Sequence, residues 1–220
     1  MSNSDFDYLR DPDAIYAASF AAIERAADLS GVATDLRDVA LRLVHAVGDP
    51  DVIEAFTASD GAGEAGQMAL SAGVPVLTDS RMLAEGIIRS GLPAQNRVIC
   101  TLGLGSVTGN AKRAGTTRSA AAVELWTPFL EGAIVAIGNA PTALFRLLEG
   151  LAAGWPKPAL IIGLPVGYIG AAESKDALIA AAPTPFITLR GQRGGSPVAA
   201  AALNALARNA SRHVNGNPTP

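Results

Sequence analysis

The chain has 220 residues, 49% hydrophobic but only 5% aromatic, which fits one domain of the larger kind with a full core. Its formal charge of −3 argues against nucleic-acid binding, and 14 arginines against three lysines (Lys112, Lys157, Lys175) suit bidentate recognition of carboxylates or phosphates better than a diffuse basic surface. The polar start MSNSDFDYLRD has no apolar signal core, no apolar run reaches a membrane span, and the lone Cys100 can form no internal disulfide, so a soluble cytoplasmic protein without a membrane partner is expected.

Helical periodicity fills the first third, over residues 12–29, 35–47, a short piece at 50–56, and 64–72. In the second of these, Leu36, Val39, Ala40, Leu43 and Val47 form an apolar stripe, while Asp38, Arg42 and His45 share a separate face. Gly48 and Pro50 end the helix and place His45 in its last turn, where the macrodipole favours positive charge. The chain has only two histidines, and the other, His213, falls in a polar tail. From the residues alone His45 is either a hydrogen-bonded structural imidazole or a proton donor, since histidine is the side chain that most readily exchanges protons near neutral pH.

After residue 72 the pattern changes. Short apolar runs at Val74–Leu77, Val98–Leu102, Ala133–Ile137, Ala159–Ile162 and Pro185–Leu189, most followed by a helical segment, predict five strands. Runs apolar on both faces and separated by helices predict a parallel sheet covered on both sides, with the N-terminal helices packed on that core or at a subunit contact. One domain over 1–208 is expected, followed by a disordered tail at 209–220, NASRHVNGNPTP.

Ligands of open parallel sheets bind beyond the carboxyl ends of the strands, which directs attention to the strand-to-helix loops. In TDSRM (78–82) Asp79 or Ser80 can cap a helix; IGNAPTAL (137–144) offers a tight turn with Pro141 at a first helical position. GLPVGYIGAAESK (163–175) and RGQRGGSP (190–197) are glycine-spaced loops that open into helices; glycine loops leading into helix starts, IGNAPTAL among them, attract anions, although each is equally a well-made connection. In RAGTTRSAAAVELW (113–126) Arg118 falls in the first turn of a helix, where an anionic ligand would offset its repulsion by the dipole; an exposed arginine without a role is the alternative. GLGS (103–106) lacks the rest of a nicotinamide fingerprint, and the sequence has no Walker loop, zinc cluster or GxSxG elbow.

Taken together, YLRDPDAIYAASFAAI (8–23), RLVHAVGD (42–49), GVPVLTDSRMLAEGI (73–87), VICTL, TTRSAAA, AIGNAPTALFRLLE (136–149), PVGYIGAAESKDAL (165–178) and RGGSPVAAAALNALAR (193–208) closely resemble the precorrin-8X methylmutases of cobalamin biosynthesis. The resemblance runs from Tyr8 to Arg208. It implies a three-layer α/β/α Rossmann-like fold without a bound nucleotide, and a homodimer with active sites near the subunit contact. The implied reaction is an isomerisation that moves the methyl group on C11 of precorrin-8X to C12, giving hydrogenobyrinic acid.

By the same resemblance His45 is the acid that protonates the macrocycle, and Tyr16, Ser19, Arg42 and Arg118 line the substrate cavity. No cofactor or metal is implied, and hand-over of product to the next pathway enzyme is left open. The family often reads GNTRSA where Gly115, Thr116, Thr117 and Arg118 stand, and often has cysteine at the places of Val47 and Thr78. The alternatives are the cobalt-bearing substrate cobalt-precorrin-8 giving cobyrinic acid, a non-catalytic tetrapyrrole carrier, and a nucleotide-binding oxidoreductase that lacks its ribose-binding acid.

Overall fold

A computed structural model describes residues 6–214. The first helix, α1 (Pro12–Ala26), starts where Asp11 accepts a hydrogen bond from the Ala14 amide and Pro12 takes a first-turn position whose amide would otherwise be unpaired. A turn of 3-10 helix leads into α2 (Arg37–Val47), which Gly48 closes at φ 72° while its N–H bonds the Val44 carbonyl. The apolar stripe expected for α2 is buried at Val39, Ala40 and Leu43.

The sheet has six strands, not five. To β2 (Val76–Thr78), β3 (Val98–Ile99), β4 (Ile134–Ile137), β5 (Leu160–Gly163) and β6 (Phe186–Leu189), which are mutually parallel, the fold adds β1 (Phe56–Ala58), antiparallel to β6. β1 spans three half-buried residues at the sheet edge, too few to show an alternation. β3 is shorter than Val98–Leu102 because the chain turns after Ile99 into α5 (Gly105–Ala114). The spatial order β1-β6-β5-β4-β2-β3 reverses the direction of winding between β2 and β4.

Side chains of the strands alternate between two apolar layers, as a sheet buried on both faces requires. Val76, Ile134, Ala136, Leu160, Ile162 and Ile187 face α2, α3 (Ala62–Ser71) and α9 (Ser196–Val214). Leu77, Val135, Ile137 and Ile161 face α7 (Pro141–Ala152), α8 (Ala171–Ala181) and the buried Trp126. The short helices α4 (Arg81–Gly86) and α6 (Arg118–Val123) pack on α9 and α7 respectively. Glycine in the 60–70 segment has a packing reason: a Cβ on Gly66 would come within 2.8 Å of Leu160 and 2.9 Å of Leu206.

α9 continues through Val214, so residues 209–214 extend the last helix instead of beginning a tail, and the remaining tail residues lie outside the described part. Ala202, Leu203, Leu206 and Ala210 carry its buried stripe past Arg208. Among the described residues no helix is long and apolar enough to cross a membrane.

Candidate active site

α2 packs against α9 and against α1. His45, exposed in the last turn of α2, stacks on Phe20 of α1 with ring centroids 5.3 Å apart and an 18° interplanar angle. Phe20 in turn meets Tyr16 at 4.5 Å, and the Arg42 guanidinium lies 4.6 Å from the Phe20 ring and 5.0 Å from Tyr16. The Tyr16 hydroxyl accepts hydrogen bonds from both Arg42 and Arg208. Spacing of three and four residues along two packed helices therefore builds one aromatic and guanidinium ladder ending on the imidazole.

Two hollows flank this ladder. One, of about 300 Å³, is lined by Ser19, Ala22 and Ile23 of α1 with Val44, His45 and Gly48 of α2. The other, of about 560 Å³, holds Arg42 and Arg208. The smaller hollow has α1 as one wall, and α1 itself buries no residue.

At the carboxyl edge of the sheet the winding reverses between β2 and β4, the crevice where an open α/β sheet ordinarily takes its ligand. Here the chain fills that place itself. Asp79, 2% exposed, accepts hydrogen bonds from the amides of Gly138, Asn139 and Ala140 at 3.0, 2.9 and 2.7 Å. Burial pushes its carboxyl above the usual range against the pull of those three donors. The anion-attracting loop read in IGNAPTAL is thus occupied from within, and Ser80, not Asp79, caps α4 through the Leu83 amide.

Lys175 is a second buried charge. It is fully buried, donates to the Arg193 carbonyl at 2.6 Å, and its ammonium is brought down to about 8 by desolvation, which the nearby Asp176 only partly counters. Arg193 also pairs with Asp49 at 3.0 Å, just beyond the α2 cap. The GAAESK helix therefore pins the loop after β6, and that loop holds the end of the helix that carries His45.

The precorrin-8X methylmutase family model matches residues 14–209, most of the chain. The chain belongs to the precorrin-8X methylmutase family. A precorrin-8X methylmutase of Pseudomonas aeruginosa is 56% identical over 91% of this chain and 97% of its own length. A cobalt-precorrin-8 methylmutase of Methanocaldococcus jannaschii is 36% identical over 75% of each chain. The crystal structure of a precorrin-8x methyl mutase from Thermus thermophilus superposes with a TM-score of 0.84 at 38% identity, over 94% of this chain and all of that one.

Of the residues that the methylmutase resemblance nominates, the structure brings four together: Tyr16 and Ser19 on α1, and Arg42 and His45 on α2. Arg118 stands apart from them. It opens α6, which packs on α7 in the opposite layer, and its guanidinium donates to the Leu102 carbonyl at 3.5 Å; Thr117 caps the helix and meets Thr142 of α7 at 2.8 Å. Sequence reasoning missed Phe20 and Arg208. The one signal for Phe20 is its i+4 spacing from Tyr16 on α1, and Arg208 is remote from α2 in sequence.

Proposed function

We propose that this methylmutase converts precorrin-8X into hydrogenobyrinic acid, with His45 as the proton donor. The observation that carries this reading is the stack of His45 on Phe20 at the mouth of a hollow between α1 and α2, in a family whose reaction is an isomerisation. Packing one imidazole face on a ring fixes its plane while leaving the nitrogens accessible, which a general acid requires.

Protonation of a ring nitrogen withdraws electron density from the conjugated macrocycle and lowers the barrier for the methyl group to leave C11 as it bonds to C12. The proton returns to His45 as product forms. Substrate and product are therefore isomers, and the step consumes no electrons, nucleotide or methyl donor. Tyr16, Ser19 and Arg42 bind the substrate beside the acid, and Arg118 meets carboxylates at the carboxyl edge, where charge-assisted pairs favour arginine.

The cobalt-free substrate is favoured because the relative at 56% identity carries that name, against 36% for the cobalt-precorrin-8 enzyme. The reversed winding order supports a Rossmann-like α/β/α layering. A cytoplasmic homodimer is the assembly we infer: α1 leaves Ile15 43% and Tyr16 38% exposed, and the preceding Tyr8 and Leu9 are 60% and 52% exposed, a surface that a second copy would cover. Mixing the purified protein with precorrin-8X should produce the absorption spectrum of the rearranged corrin; binding without that change would make the protein a carrier.

A further inference from the structure

We infer that the hollow between α2, α9 and the turn at residues 88–91 is a carboxylate clamp, with Arg208 as its second jaw opposite Arg42, and that it selects the free acid of a tetrapyrrole side chain over a neutral ester or amide. The inference rests on the tetrapyrrole reading above and assigns Arg208 a role that the family match does not.

Three guanidinium groups, Arg42, Arg208 and Arg212, line this hollow of about 560 Å³. Among the described residues one of them has a carboxylate: Arg212 pairs with Asp38 at 3.6 Å, while Arg42 and Arg208 meet no acidic side chain. Both donate instead to the Tyr16 hydroxyl, and both lie over its ring, at 5.0 and 5.5 Å from the centroid. A phenolic oxygen that accepts twice still has its own proton to give. A carboxylate completes the set, because it accepts from two guanidinium groups and a hydroxyl at once and neutralises the unpaired charge.

The walls are fixed in advance. Asn204 of α9 accepts from the Ile88 amide at 2.9 Å and donates to the Gly86 carbonyl at 2.9 Å, while the single hydroxyl proton of Ser211 is shared between the Ala207 and Gly91 carbonyls at 3.0 and 3.4 Å. A site whose walls and cations are already held spends little binding energy on ordering them. Arg42 is three residues from His45 on the same helix, so a macrocycle anchored here by one acidic arm lies within reach of the imidazole.

The test is titration of the full chain with hydrogenobyrinic acid and with its methyl esters. Arg208→Ala should weaken binding of the acid by about tenfold to a hundredfold, the range for one lost charge-assisted contact, and Arg208→Lys should recover part of the loss. The ester should bind wild type and both variants alike. Ser90→Asp, at an exposed position on the rim, should also weaken binding of the acid by supplying the arginines with an internal carboxylate. Equal affinity of wild type and Arg208→Ala for the acid would overturn the clamp, as would equal losses for acid and ester. A wild-type protein that binds the acid through Arg208 yet leaves precorrin-8X unchanged would refute the methylmutase reading and leave the clamp standing.

Discussion

Replacing Asp79 with alanine removes the carboxylate that three backbone amides share at the point where the sheet reverses its winding. The bonds run at 3.0, 2.9 and 2.7 Å to a side chain that is 2% exposed. Hydrogen bonds to a charged acceptor contribute roughly 1.5–3 kcal/mol each, but they do not add, and deleting one partner of a buried charged set costs about 3–5 kcal/mol. Burying the carboxyl has already cost energy, as its raised proton affinity shows, and that cost vanishes with the side chain.

The expected loss is therefore at the low end, about 3 kcal/mol, a large part of the roughly 5–15 kcal/mol that holds a domain folded. Urea unfolding followed by tryptophan fluorescence, to which the buried Trp126 contributes alongside Trp155, measures it directly. Formate at tens of millimolar should restore part of the loss by occupying the three vacated amides. A loss under about 1 kcal/mol with no response to formate would mean that water serves those amides equally well, and the reasoning would fail.

Lys175 makes stability depend on pH in a defined direction. Its folded value of about 8 lies below the ordinary 10.5, so between these the unfolded chain binds the extra proton and stability rises with pH, by at most about 3 kcal/mol; Lys175→Met should abolish that rise in urea midpoints measured from pH 7.5 to 10.5. Arg118→Ala should weaken hydrogenobyrinic acid binding by about one to two orders of magnitude, with Arg118→Lys recovering only part; unchanged affinity would remove Arg118 from the substrate. Dialysed, chelator-treated protein should keep full activity and scatter light at twice the chain mass. Dependence on metal or nicotinamide would sink the isomerase mechanism, whereas an active monomer would sink only the assembly.

The parallel strands were legible because each is apolar on both faces and bounded by turn residues, a pattern that only a doubly covered sheet requires. β1 was not, because three residues at an edge show no period and its pairing with β6 is set by contacts more than a hundred residues away. Likewise α9 runs through a polar stretch at Asn209–Arg212, since Ala210 still faces the core. At the site, His45 and Arg42 could be read from one helix face, and the resemblance added Tyr16 and Ser19 as residues lining the same cavity. What surrounds them could not: Phe20 stacks on His45 from a different helix, and Arg208 arrives from the far end of the chain. Nor could the bonds that Asp79 makes to amides some sixty residues on. The glycine loops looked alike in sequence, and only the fold shows that one of them is already filled.

The most direct test of the account is single-turnover conversion of precorrin-8X by wild type and His45→Ala at equal, saturating enzyme. Loss of the spectral change in the variant, with hydrogenobyrinic acid binding and the fold intact, is the predicted result, since His45 is the only group proposed to deliver the proton. Conversion by His45→Ala at near wild-type rate would contradict it.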